Sequence, residues 1–311
     1  MKKHAYLIIA NKNPEQLKKL LGSLDDERND IYLLIDKKSL IKDINFKNDV
    51  TKSKIFQYAP VEIFWGDYSQ IEAEMFLFKQ AAKNNYEYYH LISGADLPLV
   101  SQDKIHDFFD KNPNKEFLTL ILDKNNDQKI ADRVSIYHFF VKICGKNTKN
   151  IFLKTFFSIY SRLEKVAQKL FKVDRLKNSN IKIQYGSNWV TIDNEFIKYV
   201  LSREEWIEHT FKHTICTDEV FLPTLLVNSK YKDRLFYAKM TENKSSNEFQ
   251  GNLRYINWWS GPQYPKVWGT EDYNELAQAK EKGYIFARKF DSSFDVHIIN
   301  EVLKNDDIDN K

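Results

Sequence analysis

Two adjacent carboxylates, Asp218 and Glu219, follow Thr217 and precede the largely apolar run Val220–Val227. A positioned carboxylate can take the proton of an attacking hydroxyl group, so this pair is a candidate for general-base chemistry. Acidic residues are also favoured in the first turn of a helix by the helix dipole, whatever the protein does. On the residues alone, Glu219 is therefore either a catalytic base or an ordinary residue at a helix start.

Two further carboxylates follow predicted strands. Asp36 ends the apolar run Ile31–Ile35, and Asp96 lies in the loop Ser93–Pro98 that leaves the run Tyr88–Ile92. Ligands of open α/β sheets bind at the carboxyl ends of the strands. The alternatives are that Asp36 caps a turn and that Asp96 fixes its own backbone in an Asx turn.

Several other chemistries lack their sequence patterns. The chain has no Gly-x-Gly-x-x-Gly fingerprint and no P-loop, and His209 and His213 lack the glutamate of the His-Glu-x-x-His zinc motif. The net charge is +4, from 47 basic and 43 acidic residues. Because these charges nearly balance, no nucleic-acid partner is expected.

The elements that must position these residues are predicted from hydrophobic periodicity. The predicted strands are the runs Tyr6–Ala10, Ile31–Ile35, Glu62–Trp65 and Tyr88–Ile92. Helices are predicted from Pro14 onwards and over Gln70–Asn84. This alternation is typical of an α/β fold with a mixed central sheet flanked by helices.

The segment 142–182 is locally cationic, with eleven basic residues against Glu164 and Asp174. Its apolar residues share one face of a predicted helix, namely Phe152, Phe156, Ile159, Tyr160, Leu163, Val166, Ala167 and Leu170. One interpretation packs this face on the protein and leaves a solvated basic side. The other places the helix on a membrane surface that contains anionic lipid.

Eight segments in order resemble the core-2/I-branching N-acetylglucosaminyltransferase family, which also contains peptide xylosyltransferases. They are residues 5–10, 31–39, 65–69, 90–99, 185–189, 217–221, 253–258 and 286–291. The resemblance covers most of the chain and implies a GT-A-like nucleotide-sugar-binding fold. It also implies inversion at the anomeric carbon and a UDP-sugar donor that is held without a metal, so no cofactor is expected.

A single glycosyltransferase catalytic domain is expected over residues 1–311. Within it, residues 1–100 would bind the nucleotide, and residues 183–295 would carry the acceptor, catalytic and diphosphate groups. Residues 142–182 would form a basic amphipathic helical insertion.

The resemblance assigns the general base to Glu219. Without a metal, cations must meet the negative charge of the departing diphosphate, and the resemblance gives this role to Lys289. Arg288 is assigned to the donor site as well, with a structural role as its alternative. The family's further phosphate-binding arginine has no counterpart here, and Lys266 is the nearest basic candidate.

For the rest of the donor, the resemblance implies that Asp36 hydrogen-bonds the uracil and that Trp65 lies against it. Asp96 lies where the family's loop closes on the donor. The alternative for Trp65 is an ordinary core position. The acceptor-binding residues are expected to be Trp258, Ser187, Trp189 and Asp218, and the alternative for Asp218 is a helix cap.

The function expected from these observations is transfer of N-acetylglucosamine from a UDP-sugar to a hydroxyl of a saccharide. The alternatives are UDP-xylose or another UDP-sugar as donor, and a nucleotide-sugar-binding module without activity. The apolar stretch Ala5–Ala10 is too short for a signal peptide, so a cytoplasmic location is expected, peripheral at the inner face of the plasma membrane. A bacterial surface polysaccharide, built on a lipid-linked acceptor, is the expected product.

Overall fold

The computed structural model describes residues 3–122, 127–177 and 179–308. The strands are β1 (His4–Ala10), β2 (Asn29–Ile35), β3 (Lys54–Tyr58), β4 (Tyr88–Ser93), β5 (Asp96–Pro98), β6 (Thr191–Asp193), β7 (Arg254–Ile256) and β8 (Phe286–Arg288). The α-helices are α1 (Pro14–Ser23), α2 (Ser69–Ala81), α3 (Gln102–Lys111), α4 (Asp127–Ser135), α5 (Ile151–Leu170), α6 (Asn194–Ser202), α7 (Glu204–Phe211), α8 (Phe221–Val227), α9 (Tyr273–Glu281) and α10 (Val296–Ile308).

The central sheet has the strand order β3-β2-β1-β4-β6. Strands β3, β2, β1 and β4 are parallel, and β6 pairs with β4 in the antiparallel direction. The register sets Ala10 opposite Ile35 and Ile9 opposite Ser93, so the carboxyl ends of β1, β2 and β4 lie together. The predicted α/β fold with a mixed central sheet flanked by helices is confirmed.

Buried apolar side chains cover both faces of this sheet. One hydrophobic cluster joins Ile8 and Leu33 to Leu17 of α1 and Ile298 of α10. The other cluster joins the alternate strand residues, such as Leu7 and Leu34, to residues of α2, α6 and α8. Strands buried on both faces read as continuous apolar runs, which is why the sequence identifies β1, β2 and β4.

A smaller sheet has the order β5-β8-β7. Strand β8 is parallel to β7 and antiparallel to β5. In this register Asp96, the first residue of β5, lies opposite Arg288, the last residue of β8. The smaller sheet therefore brings Lys289 and the residues that follow β7 to the loop at the end of β4.

The predicted strand Glu62–Trp65 is wrong. The third strand of the sheet is β3, Lys54–Tyr58, which pairs with Asp30–Leu34 of β2. Residues 61–65 fold back over the end of β2, because Lys37 donates its backbone N–H to Val61 and Ile63 donates its N–H to the carboxylate of Asp36. As a partly exposed strand at the sheet edge, β3 lacks the apolar run that marks its neighbours.

The helix predicted to open at Thr217 begins at Phe221, so Thr217–Glu219 belong to the preceding turn. Glu219 is therefore held by a turn rather than by a regular helix. Helix α6 begins at Asn194, and the carboxylate of Asp193 caps it by accepting a 2.7 Å hydrogen bond from the N–H of Phe196.

Helix α5 lies within the predicted cationic segment, but its apolar face does not pack on the protein. Phe157 is its buried residue, whereas Phe152 is 83% and Leu163 64% exposed. The interpretation that this face is covered by the rest of the chain is therefore wrong. None of the described helices combines the length and the apolar content that a membrane crossing requires.

Candidate active site

Polar and aromatic residues gather at one edge of the two sheets, among them the predicted site residues Asp36, Ser187 and Trp189. Lys12 follows β1, Asp36 follows β2, and Ser93 ends β4. Trp189 and Ser187 precede the antiparallel strand β6, so they reach the same edge from the opposite direction. This is the edge at which α/β sheets bind ligands.

Glu219 is fixed by its own backbone. Its carbonyl accepts a 2.9 Å hydrogen bond from the N–H of Gly186. A β-carbon at Gly186 would lie 2.4 Å from the carbonyl oxygen of Thr119 and 2.7 Å from Pro223 Cγ. Glycine is thus required at position 186 for the turn that carries Glu219 to approach this segment.

The carboxylate of Glu219 has two polar neighbours. Arg133 Nη1 on α4 lies 3.4 Å from its Oε2, and the hydroxyl of Tyr185 hydrogen-bonds to it. Burial raises the pKa of Glu219, while the charge of Arg133 and the hydrogen bonds from Tyr185 and Arg133 oppose this effect. A carboxylate whose pKa is raised is a stronger base than an exposed one.

Asp218 is buried beside Glu219 and points to a different set of partners. Its Oδ2 accepts hydrogen bonds from Gln70 Nε2 at 2.8 Å and from Asn188 Nδ2 at 3.3 Å. Burial and the charge of Glu219 raise the pKa of Asp218 to about 7. Glu74 on α2 is also buried here, and its pKa is raised by burial and by the charge of Asp218.

A cavity of about 350 Å³ opens over Glu219. Trp258 and Ser187 line it together with amide and carboxylate side chains, including Asn188, Asn252 and Glu242. A flat aromatic ring beside hydrogen-bonding amides suits a saccharide, which presents apolar ring faces and hydroxyl groups. Of the predicted acceptor residues, Trp258 and Ser187 share this cavity with Glu219, while Asp218 and Trp189 do not line it.

Lys289 is half-buried among other cations. Burial, and then the charges of Arg288, Lys12 and Lys146, lower the pKa of Lys289, and only the charge of Asp291 opposes them among its main influences. Lys12 itself forms an ion pair with Asp291. A group of cations around a half-buried ammonium favours an anion such as a diphosphate at this position.

Lys146 is a further cation of this region. Its charge acts on both Lys289 and Glu219, and its ammonium lies 4.2 Å from the centre of the Trp65 ring. Trp65 is 49% exposed, and its backbone is held by Asn147, which bonds to both the N–H and the carbonyl of Trp65. The predicted nucleotide aromatic Trp65 therefore lies beside Lys146, a lysine whose charge also influences the predicted base and the predicted diphosphate cation.

Arg288 and Asp96 form a buried ion pair, and their predicted donor roles stay predictions. Arg288 Nη1 lies 3.0 Å from the carboxylate of Asp96, which is fully buried. The other oxygen of Asp96 accepts a 2.6 Å hydrogen bond from the N–H of Ser93, and the guanidinium of Arg288 lies 4.8 Å from the ring centre of Trp189. These contacts fix the loop after β4.

Asp36 and Lys266 also have partners within the chain. The carboxylate of Asp36 accepts hydrogen bonds from the N–H groups of Lys38 and Ile63, and the ammonium of Lys266 pairs with Asp272. Neither contact tests a ligand role, so both stay predictions. Over the described parts of the chain, no group of three His, Cys, Asp or Glu side chains is arranged to hold a metal ion, and metal-independent donor binding stays a prediction too.

Sequence reasoning missed Arg133, Lys12 and Lys146. Lys12 carried a usable signal, since it lies two residues after the first predicted strand, at the edge where ligands bind. The sequence marks Lys146 only as one of the eleven basic residues of the segment 142–182. Nothing in the sequence around Arg133 marks it, because its role depends on where α4 packs.

Comparison with known proteins identifies related sequences. The profile of the family described as Core-2/I-Branching enzyme matches residues 4–277. The chain is 24% identical over 244 residues to the xylosyltransferase oxt of Drosophila melanogaster, which is 73% of this chain and 24% of that protein. It is 25% identical over 320 residues to the xylosyltransferase sqv-6 of Caenorhabditis briggsae, which is 94% of this chain and 35% of that protein.

The chain thus spans about a quarter to a third of the length of these relatives. Among solved structures, it is similar to mouse xyloside xylosyltransferase 1 in its apo form, with a TM-score of 0.34 and 9% identity. That alignment covers 76% of this chain and 85% of the mouse protein.

Proposed function

Because this chain belongs to the core-2/I-branching enzyme family, we propose that it is an inverting glycosyltransferase that moves a sugar from a UDP-sugar to a hydroxyl of a saccharide. The observation that carries the proposal is the position of Glu219, which lines a cavity with Trp258 and lies 3.4 Å from the guanidinium of Arg133. Glu219 supplies a base, and the half-buried Lys289 supplies a cation for the diphosphate.

In the proposed reaction, the acceptor hydroxyl lies in the cavity against Trp258. Its oxygen attacks the anomeric carbon of the donor as the bond to the diphosphate breaks, and its proton passes to Glu219. UDP leaves with the bonding electron pair, and Lys289, Lys146 and Lys12 stabilise the negative charge. Glu219 then gives its proton to water. A single displacement needs one base, and Glu219 is the cavity carboxylate that lies beside Arg133.

The donor sugar is the finer part of the proposal. N-Acetylglucosamine is the sugar expected from the sequence, and xylose is the alternative that the names of the two Drosophila and Caenorhabditis relatives favour. We further propose that the acceptor is a lipid-linked saccharide in the synthesis of a bacterial surface polysaccharide. The support for this acceptor is the exposed, basic helix α5 near the site.

UDP release from a panel of UDP-sugars, with a lipid-linked saccharide or a soluble peptide as acceptor, tests the proposal. We expect turnover with UDP-N-acetylglucosamine or UDP-xylose that persists in EDTA. The Glu219→Gln variant should lose about a hundredfold or more of kcat, because general-base catalysis contributes that much, while binding UDP as the wild type does.

Four results would each contradict one part of the proposal. Full turnover by Glu219→Gln would remove this residue from the base role. UDP binding without turnover with any donor and acceptor would favour a binding module, and loss of turnover in EDTA would bring a metal into the site. Efficient transfer to the peptide but not to the lipid-linked saccharide would overturn the proposed acceptor.

A further inference from the structure

Helix α5 carries a continuous apolar stripe that faces away from the protein. Six large side chains recur at helical spacing and are each more than half exposed, namely Phe152, Phe156, Ile159, Leu163, Val166 and Leu170. Twenty residues at 1.5 Å per residue extend over about 30 Å. Isolated exposed apolar residues are common on protein surfaces, but an ordered stripe of this length marks an interaction surface.

The opposite side of α5 holds the helix on the protein mainly through polar contacts. Gln168 bonds to both the N–H and the carbonyl of Tyr137. Glu164 accepts a hydrogen bond from the N–H of Phe139. Phe157 is the apolar residue that is buried on this side. The orientation of the stripe is therefore set by specific contacts and is not the product of a loose helix.

The charges around the stripe are almost all positive. Lys154, Arg162, Lys165 and Lys169 lie along one flank of the stripe at helical spacing, and all four are exposed. The two acidic residues of the segment are engaged elsewhere, since Glu164 faces the protein and Asp174 accepts a hydrogen bond from the N–H of Leu176. The outward surface thus combines a large apolar stripe with a basic flank.

We infer that helix α5 docks in the plane of an anionic lipid bilayer, with the Phe152–Leu170 stripe among the acyl chains and the basic flank at the headgroups. This combination of an apolar face and a lysine-rich flank is the one that interfacial helices use. A second copy of this chain would bring two basic flanks together, and the repulsion between them opposes that occupant.

Docking would place the candidate active site close to the membrane surface. The turn Gly145–Asn147, only three residues before α5, carries Lys146 on the Trp65 ring and Asn147 on the Trp65 backbone. The element that meets the bilayer is therefore joined directly to the predicted donor site. A membrane-bound acceptor would reach the cavity without leaving the lipid.

Flotation with vesicles tests the inference without any substrate, so its failure is distinct from a failure of the proposed function. The full chain is mixed with phosphatidylcholine vesicles or with vesicles that also contain phosphatidylglycerol. We expect it to float with the anionic vesicles, to remain behind with the zwitterionic ones, and to be released by high salt.

Two pairs of variants locate the contact. Phe156 and Phe294 are 61% and 62% exposed, so Phe156→Asp should weaken vesicle binding by about tenfold or more, while Phe294→Asp should leave it unchanged. Lys165→Glu should weaken binding by about fivefold or more, since each basic residue near an anionic surface contributes to this extent. Lys198→Glu, an exposed lysine on α6, should have no effect.

Three results would overturn the inference. The first is a wild-type chain that floats with neither kind of vesicle. The second is equal binding by Phe156→Asp and Phe294→Asp. The third is a dimer in light scattering that Phe156→Asp converts to a monomer, because a second copy would then cover the stripe.

Discussion

The guanidinium of Arg133 lies 3.4 Å from the carboxylate of Glu219 and also donates a 3.1 Å hydrogen bond to the carbonyl of Cys216. Arg133 thus connects the candidate base to the backbone two residues before Asp218. Its positive charge favours the ionised carboxylate, whereas burial favours the protonated one. The balance between these two effects sets the pH at which Glu219 can act as a base.

Replacing Arg133 by Met should raise the pKa of Glu219, because the charge that stabilises the carboxylate is lost while burial remains. The base is active when deprotonated, so the acidic limb of the kcat/KM profile should move to higher pH. Because the charges of Asp218 and Glu219 interact, the apparent pKa of this limb belongs to the pair of carboxylates and not to Glu219 alone. Arg133→Lys keeps the charge and should move the limb less. An unchanged limb in Arg133→Met would remove Arg133 from this role.

Lys289→Met should weaken UDP binding by about ten- to a hundredfold, as expected for the loss of a charged hydrogen-bonding group in a partly buried site. Titration calorimetry with UDP measures this directly. Lys289→Arg preserves the charge and should lose less.

The UDP affinity of Lys266→Met should be compared with that of Lys289→Met, because the ammonium of Lys266 is already paired with Asp272. If the pair is structural, the variant should bind UDP almost as the wild type does. A loss equal to that of Lys289→Met would establish Lys266 as a second cation for the diphosphate, as expected from the sequence.

Asp96→Ala should destabilise the protein by about 3 kcal/mol, because it leaves the guanidinium of Arg288 without its buried partner. The Ser93 N–H also loses its acceptor. Denaturant unfolding gives the change in the free energy of unfolding. The matched control is Asp103→Ala, which removes an exposed partner of Arg28 and should cost less than about 1 kcal/mol.

A stable Asp96→Ala protein with weakened UDP binding would contradict this structural role. Asp96 would then belong to the donor site, as the resemblance to the family implies.

How well the sequence predicts a strand of the central sheet depends on how deeply that strand is buried. Strands β1, β2 and β4 are buried on both faces, so their apolar runs identify them, and Asp36 and Ser93 could be placed at their ends. Strand β3 lies at the edge, is partly exposed and contains Lys54 and Gln57, so it lacks a continuous apolar run and the sequence favours Glu62–Trp65 instead. Hydrophobicity therefore predicts the centre of the sheet better than its border.

The same difference separates the predicted site residues from the missed ones. Glu219 could be assigned because it lies in a motif, whereas Arg133 reaches it from a helix 86 residues earlier in the chain. For helix α5, periodicity predicts the apolar face but does not predict whether the rest of the protein covers it. Contacts between distant segments determine both the position of Arg133 beside Glu219 and the exposure of the α5 face. No local sequence pattern encodes such contacts.

Gly186 lies against the turn that carries Glu219 and donates its N–H to the carbonyl of Glu219. In Gly186→Ala, the new β-carbon would lie 2.4 Å from the carbonyl oxygen of Thr119, so the backbone must move. We expect a loss of about 1–3 kcal/mol in the free energy of unfolding, as for other overpacked sites. Because the N–H of Gly186 holds the carbonyl of Glu219 at 2.9 Å, the movement should also displace the base.

A displaced base should lower kcat by about tenfold or more while the affinity for UDP changes little, since errors of about 1 Å in catalytic geometry are costly. The matched control is Gly22→Ala in α1, where a β-carbon meets nothing within 4 Å. That variant should be more stable by about 0.5–1 kcal/mol, because alanine is the better helix former, and it should keep its kcat. Equal activities in the two variants would mean that Glu219 does not depend on this contact.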